Sequence, residues 1–186
     1  MKRFLDLLLS IFFIILFSPI FFILKILFFI FKEKNMFFWS PRAGQNNLIF
    51  MMPKIRTMKA NTPQIASHLL KNPEAYYNFL GKFLRQTSLD EIPQLWSILI
   101  GDMSFVGPRP ALFNQYDLIK LRSAKGIHKL IPGLTGWAQI NGRDNLSLIE
   151  KIKFDEEYMK KRSFLFDLKI LYLTFIKIIR REGIQH

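Results

Sequence analysis

The sequence predicts an α+β chain, mainly helical, in which an N-terminal membrane helix-break-helix and a small β-hairpin accompany interfacial amphipathic helices around one compact domain. Three observations carry this reading. Phe4 to Phe31 is almost unbroken apolar sequence with Ser18 and Pro19 in its middle. Two apolar runs flank a turn at Ala43 to Asn47. Apolar residues recur at helical spacing after Asp90 and after Ser147, and the run from Phe164 is strongly apolar. A chain of 186 residues has room for one domain, so residues 1–34 are read as the membrane hairpin and residues 35–186 as the globular part.

At ~1.5 Å per residue Phe4 to Phe31 could cross a bilayer as a helix. Two features argue for another path. Pro19 removes a backbone hydrogen bond in mid-segment, and basic residues stand at both ends, Lys2 and Arg3 before and Lys32 and Lys34 after. Equal flanks give the positive-inside rule no direction. They fit a segment that breaks at Ser18 and Pro19, enters one leaflet and returns, leaving both ends on the same side. The run is too long for a cleaved signal peptide, and no small-residue cleavage site follows it.

Met36 to Met58 reads as a β-hairpin whose second arm presents Lys54 and Arg56 at i, i+2 on one face. That face suits phosphate, or else it is a solvated edge whose charges discourage aggregation. Asn61 to Gly81, with Pro63 and Pro73, reads as a loop followed by a short helix.

In the next stretch, Arg85 to Pro110, the carboxylates of Asp90 and Glu91 adjoin just ahead of Pro93. Ser88 and Glu91 have capping-box spacing, but Pro93 would then fall inside the helix. The expected helix therefore starts near Asp90 to Ile92, with Pro93 in its first turn, an apolar face of Ile92, Leu95, Trp96, Leu99 and Ile100, and Gly101 as its stop. Two neighbouring carboxylates repel, and a divalent cation or a basic partner relieves the repulsion. Gly107 to Pro110 holds Arg109 between two prolines, which suits bidentate phosphate recognition or a structural turn. Ala111 to Arg122 reads as a helix. Pro132 to Arg143 reads as a substrate loop rather than a core strand, with Asn141 and Gly142 projecting Arg143 outward. Ser147 and Glu150 open a charged helix to about Arg162 that carries Asp155. Phe164 to Ile179 is short for a crossing and fits a helix at the membrane surface or a buried core helix.

Lys and Arg number 27 against 14 Asp and Glu, a net charge of +13. Thirteen of those bases against six acids lie between residues 36 and 149, so the middle of the chain suits nucleic acid, anionic lipid or phosphorylated substrates. Acids at the centre of a basic region oppose binding to a nucleic-acid backbone, and bases and aromatics do not interleave there, so no nucleic-acid partner is expected. The lack of cysteine excludes disulfides and thiolate metal sites. The three histidines, His68, His128 and His186, have no ligand spacing.

Taken together, Ser18 and Pro19 in the apolar hairpin, KIRTM at Lys54 to Met58, SLDEIPQ at Ser88 to Gln94, GDMSFVGPRP at Gly101 to Pro110 and PGLTGWAQINGR at Pro132 to Arg143 closely resemble the small bacterial sugar transferases, the monotopic polyprenol-phosphate phosphoglycosyl transferases. The likeness runs from about Lys2 to Ile179. It implies that residues 35–186 form a catalytic domain on the cytoplasmic face of the bacterial inner membrane, and that the apolar segment is re-entrant. The implied reaction moves a sugar 1-phosphate from a UDP-sugar, an N-acetylated or deoxy amino sugar, to undecaprenyl phosphate with release of UMP. By the same resemblance Asp90 is the nucleophile that forms a phosphosugar-aspartate intermediate, Glu91 the Mg²⁺ ligand, and Lys54, Arg56, Arg109, Arg143 and Asp155 substrate-binding positions. One departure stands out: the family's FFxQxRxG signature reads Phe37, Phe38, Trp39, Ser40, Pro41, Arg42, Ala43, Gly44, with serine in place of glutamine. Two other readings fit less well. A membrane-tethered basic binding module leaves the acidic pair unexplained, and a UDP-releasing glycosyltransferase would carry an Asp-x-Asp triplet that is absent.

Overall fold

A helix of 29 residues, α1 (Lys2–Ile30), opens the computed structural model, which describes residues 1–33, 35–59, 62, 72–142 and 145–180. The helix runs unbroken through Pro19, so the expected helix-break-helix is one element. Proline has no N–H to give the Ile15 carbonyl one turn back, and Ser18 Oγ donates to that carbonyl at 2.8 Å. The serine supplies the hydrogen bond that the proline removes. By length and composition α1 could cross a membrane: the mean hydropathy of its most apolar stretch is 2.9, and 11% of that stretch is buried.

Both halves of α1 nevertheless lie against the same body. Near its start Asp6 Oδ1 accepts from Ser104 Oγ at 3.1 Å and from Phe105 N at 3.0 Å, and Lys2 Nζ donates to Val106 O and Asp167 Oδ2, each at 2.7 Å. Near its end Leu24 and Phe28 pack with Ile55 and Leu84. The outward face, with Phe4, Phe12, Ile15, Phe22 and Phe29, is exposed.

The expected hairpin forms from β1 (Phe37–Ala43) and β2 (Ile49–Ile55), paired antiparallel with Phe38 opposite Lys54 and Arg42 opposite Phe50. Asn46 and Asn47 turn the chain at φ 55° and 60°, a left-handed conformation that asparagine tolerates. The short α2 (Gly81–Gln86) leads to a 3₁₀ turn, Leu89–Glu91, and then to α3 (Gln94–Ile100). The helix thus starts later than expected, with Pro93 as its N-cap and the acids in the turn ahead of it. Ser88 sits at φ 56° and caps nothing, so the first capping box does not form. Gly101 ends the helix at φ 102° as expected. The inner face of α3 is Gln94, Leu95, Ser97 and Ile98, while Trp96 and Ile100, expected to share one apolar face with Leu95, are exposed. Arg3 donates to the last carbonyls of α3, Ile98 O at 2.6 Å and Leu99 O at 2.7 Å.

Next come β3 (Ser104–Val106) and β4 (Ala111–Leu112); β4 pairs with β1, giving the sheet order β2-β1-β4. The helix expected from Ala111 therefore begins only at Tyr116, as α4 (Tyr116–Ala124), because Ala111 and Leu112 are used by the sheet. The expected substrate loop also has another role. Its Gly133–Thr135 segment is β5, a strand parallel to β3, followed by α5 (Trp137–Ile140). The glycines serve close approach: a Cβ on Gly133 would lie 2.1 Å from Gly107 N, and one on Gly136 2.1 Å from Gly107 O. In α6 (Leu148–Lys161) the second capping box is present, Ser147 Oγ accepting from Glu150 N at 3.3 Å and Glu150 Oε2 from Ser147 N at 2.8 Å. The last element, α7 (Phe164–Arg180), buries Asp167 and Ile170 and leaves Leu165, Tyr172, Phe175 and Ile178 exposed. It combines both expected roles, a packed inner face and an apolar outer one. Most of the loop expected after Asn61 lies outside the described residues.

Candidate active site

The acidic turn is suspended between α2 and α3 and faces the inner side of the hairpin. Strand alternation places Phe38, Ser40 and Arg42 of β1 on the same face as Lys54 of β2. Lys54 Nζ and Arg109 Nη2 both donate to Glu91 Oε1, each at 2.9 Å. Asp90, next to it, is buried with 8% of its surface exposed. Burial pushes its carboxyl above the usual carboxylate range and Glu91 adds to that, while Lys54, Arg85 and Arg109 oppose the rise. Burial lowers the Lys54 ammonium, and Glu91 and Asp90 partly restore it. The group is a compact set of opposite charges in which each acid has a base within reach.

Arg42 closes one side. It donates to Ser40 Oγ at 3.1 Å and Pro110 O at 3.2 Å, and burial with the nearby Arg109 pushes its guanidinium down to about 10. Ser40, which replaces the signature glutamine, is thus a partner of the signature arginine. On another side Arg85 donates to Thr57 Oγ1 at 3.1 Å and lies 5.4 Å from the ring centroid of Tyr77.

Asp155 reaches the site through another residue. Arg122 donates to Asp155 Oδ2 through Nε at 3.0 Å and Nη2 at 2.7 Å, and through Nη1 to Arg109 O at 2.7 Å. Asp155 and Arg122 therefore hold the backbone of the loop that carries Arg109. Burial raises the Asp155 carboxyl, and Arg122 opposes the rise. Replacing Arg122 with Leu strands a buried acid, and we expect a loss of about 3–5 kcal/mol of stability. The double change Arg122→Leu with Asp155→Leu should recover most of it, read by denaturant unfolding of the protein in detergent.

Of the residues singled out in the sequence, Asp90, Glu91, Lys54 and Arg109 come together, and Arg56 lies apart from them against the Phe38 ring. Asp155 is one residue removed, Ser18 and Pro19 lie within α1, and Arg143 falls outside the described residues. Arg42, Arg85 and Arg122 were not singled out. The alternation of β1 against Lys54 marks Arg42; Arg85 and Arg122 have no local signal, since their partners are distant in sequence. Among the described residues no group of three or more His, Cys, Asp or Glu could hold a metal ion. Adjoining carboxylates nonetheless fit a cation such as Mg²⁺, which uses one or two carboxylates and shares substrate phosphates.

Residues 1–181 match the family described as bacterial sugar transferase. The uncharacterized sugar transferase EpsL of Bacillus subtilis is 42% identical over 149 residues, covering 80% of this chain and 72% of that protein. The UDP-glucose:undecaprenyl-phosphate glucose-1-phosphate transferase of Escherichia coli is 36% identical over 187 residues, covering 95% of this chain and 40% of that protein. The undecaprenyl-phosphate galactose phosphotransferase of Salmonella typhimurium is 31% identical, covering 76% of this chain and 33% of that protein. The chain thus spans well under half the length of the two relatives whose reactions are named.

Proposed function

The chain belongs to the bacterial sugar transferase family, and on that premise we propose that it moves a sugar 1-phosphate from a UDP-sugar to undecaprenyl phosphate and releases UMP. The observation that carries this reading is the buried Asp90 beside Glu91, with Lys54 and Arg109 on the same Glu91 oxygen. A carboxylate in a basic, partly dry recess can attack a diphosphate whose charge the bases offset.

In the first step an Asp90 oxygen bonds to the β-phosphorus of the UDP-sugar. The bond from that phosphorus to the bridging oxygen breaks, and UMP leaves with the electron pair. In the second step an oxygen of undecaprenyl phosphate bonds to the same phosphorus, the aspartyl oxygen departs as carboxylate, and a sugar diphosphate on the lipid remains. Two displacements suit a soluble donor and a lipid acceptor that visit one carboxylate in turn. Arg109 and Lys54 balance the charge that builds on the phosphoryl oxygens. Arg122 and Asp155 keep the Arg109 loop in place, and the close packing of Gly107 on Gly133 sets where that loop begins. Glu91, with Asp90 beside it, would hold Mg²⁺, which when bound neutralises diphosphate charge.

The attachment of both halves of α1 to one body supports a path in which both ends of the helix stay on one side of the membrane, since a crossing helix would carry its start to the far side. Buried Asp6 and the Lys2 to Asp167 pair keep that start with the domain. The exposed apolar faces of α1, α3 and α7 support membrane contact at what we take to be the cytoplasmic surface. An amino sugar is the proposed donor sugar, and the hexoses named for the relatives are the comparison. Membranes carrying the protein, Mg²⁺ and undecaprenyl phosphate are therefore to be incubated with UDP-glucose, UDP-galactose and UDP-N-acetyl sugars. UMP is the expected nucleotide product. Release of UDP would refute the reading.

A further inference from the structure

Arg56 stands apart from the basic residues around Glu91. Arg56 Nε is buried without a hydrogen-bond partner among the described residues, although donors of this kind are almost always paired when buried. Its guanidinium carbon lies 5.9 Å from the ring centroid of Phe38. It lines a shallow cavity of about 540 Å³ together with Asn35, Met36, Phe37, Phe38 and Trp39.

The position of this cavity indicates its occupant. Asn35 and Met36 follow the end of α1, whose last residues, Phe29 and Ile30, are exposed like Phe31 after them, and the Phe37 ring lies 6.5 Å from that of Phe21 on α1. One wall therefore continues the apolar surface of the membrane-seeking helix. Met36 carbonyl accepts from Arg56 N at 2.8 Å, which extends the hairpin ladder and fixes the arginine on the face that bears Lys54. Two residues along an extended strand span about 7 Å. Arg56 is thus one side-chain step along the strand from Lys54, whose ammonium is held by Glu91. The aromatic walls and the single fork of donors suit a phosphate monoester attached to a long apolar chain.

We infer that the Arg56 cavity is the seat of the acceptor's lipid-borne phosphate, with the isoprenoid tail lying along the exposed face of α1. The inference rests on the proposed two-step transfer and divides its phosphates: Lys54 and Arg109 serve the donor's diphosphate, and Arg56 serves the acceptor. A bilayer phospholipid headgroup offers similar phosphate chemistry, so the test separates the two sources.

The experiment uses the full chain in detergent micelles, with Arg56→Ala and Arg56→Lys. Arg56→Ala should raise the KM for undecaprenyl phosphate about tenfold or more. Arg56→Lys keeps the charge without the fork and should fall between. The KM for the UDP-sugar, and the UMP burst released before any lipid acceptor is added, should stay within about threefold of the unchanged protein. A rise in the UDP-sugar KM, or no change in the acceptor KM, overturns the assignment. Sedimentation with phosphatidylglycerol vesicles free of polyprenyl phosphate gives the other arm: unchanged binding by Arg56→Ala supports the acceptor site, and weakened binding makes Arg56 a headgroup contact and overturns it. An unaltered unfolding midpoint for Arg56→Lys shows that the fold is kept. Failure of the unchanged protein to release UMP strikes at the two-step transfer itself, whereas an altered split between the two KM values strikes only at Arg56.

Discussion

Asp90→Asn should abolish turnover, by a factor on the order of 10⁴ or more, while the protein stays folded and bound to membranes. The amide is close to the carboxylate in volume, so the 3₁₀ turn and the packing of α3 have no steric reason to move. What is lost is the proposed nucleophile and one negative charge. Because burial already disfavours the Asp90 anion, the substitution removes an unfavourable charge and should leave the unfolding midpoint equal or higher. The decisive measurement is the UMP burst without lipid acceptor, which should vanish. A persistent burst would place the nucleophile elsewhere.

Gly133→Ala should be a severely damaging small change, lowering stability by about 3 kcal/mol or more. The added methyl would meet the backbone nitrogen of Gly107 at 2.1 Å and Thr135 O at 2.4 Å, and backbone cannot swing aside as a side chain can. Relief requires separating β3 from β5, which moves the loop bearing Arg109 away from Glu91. Activity and stability should therefore fall together. Gly126→Asn is the contrast: a Cβ there meets nothing within 4 Å, and asparagine tolerates the φ of +76°, so less than about 1 kcal/mol is expected. Denaturant unfolding of both variants in detergent makes the comparison. Equal midpoints would show that the parallel pair yields easily.

The elements legible in the sequence are those decided by neighbours along the chain. The hairpin followed from alternation and a turn of asparagines, and the Ser147 cap followed from residues three apart. The same spacing at Ser88 and Glu91 gave no cap, as expected from Pro93, and Glu91 is engaged instead by Lys54 and Arg109, which come from other elements. The strand at Gly133–Thr135 was hidden for a related reason: a parallel partner lies far away, and glycine at a close approach looks like glycine in a turn. Pro19 was read as a break because the hydroxyl beside it was not counted as a substitute donor. Of the site, the acids and two of their bases were visible as motifs. Arg122 was not, since its purpose is visible only once Asp155 and the Arg109 carbonyl are seen on either side of it.

The fastening of α1 at both ends has a consequence for how the enzyme can be handled. Arg3 holds the last carbonyls of the helix that follows the acidic turn, and Leu24 and Phe28 pack on Leu84 of the helix that precedes it. The apolar segment thus braces the candidate site from before and behind. Cutting it away to obtain a water-soluble fragment would remove the frame along with the anchor. The apolar helix is in this sense part of the candidate site's foundation, and a detergent that strips or distorts it should quench catalysis before it unfolds the domain.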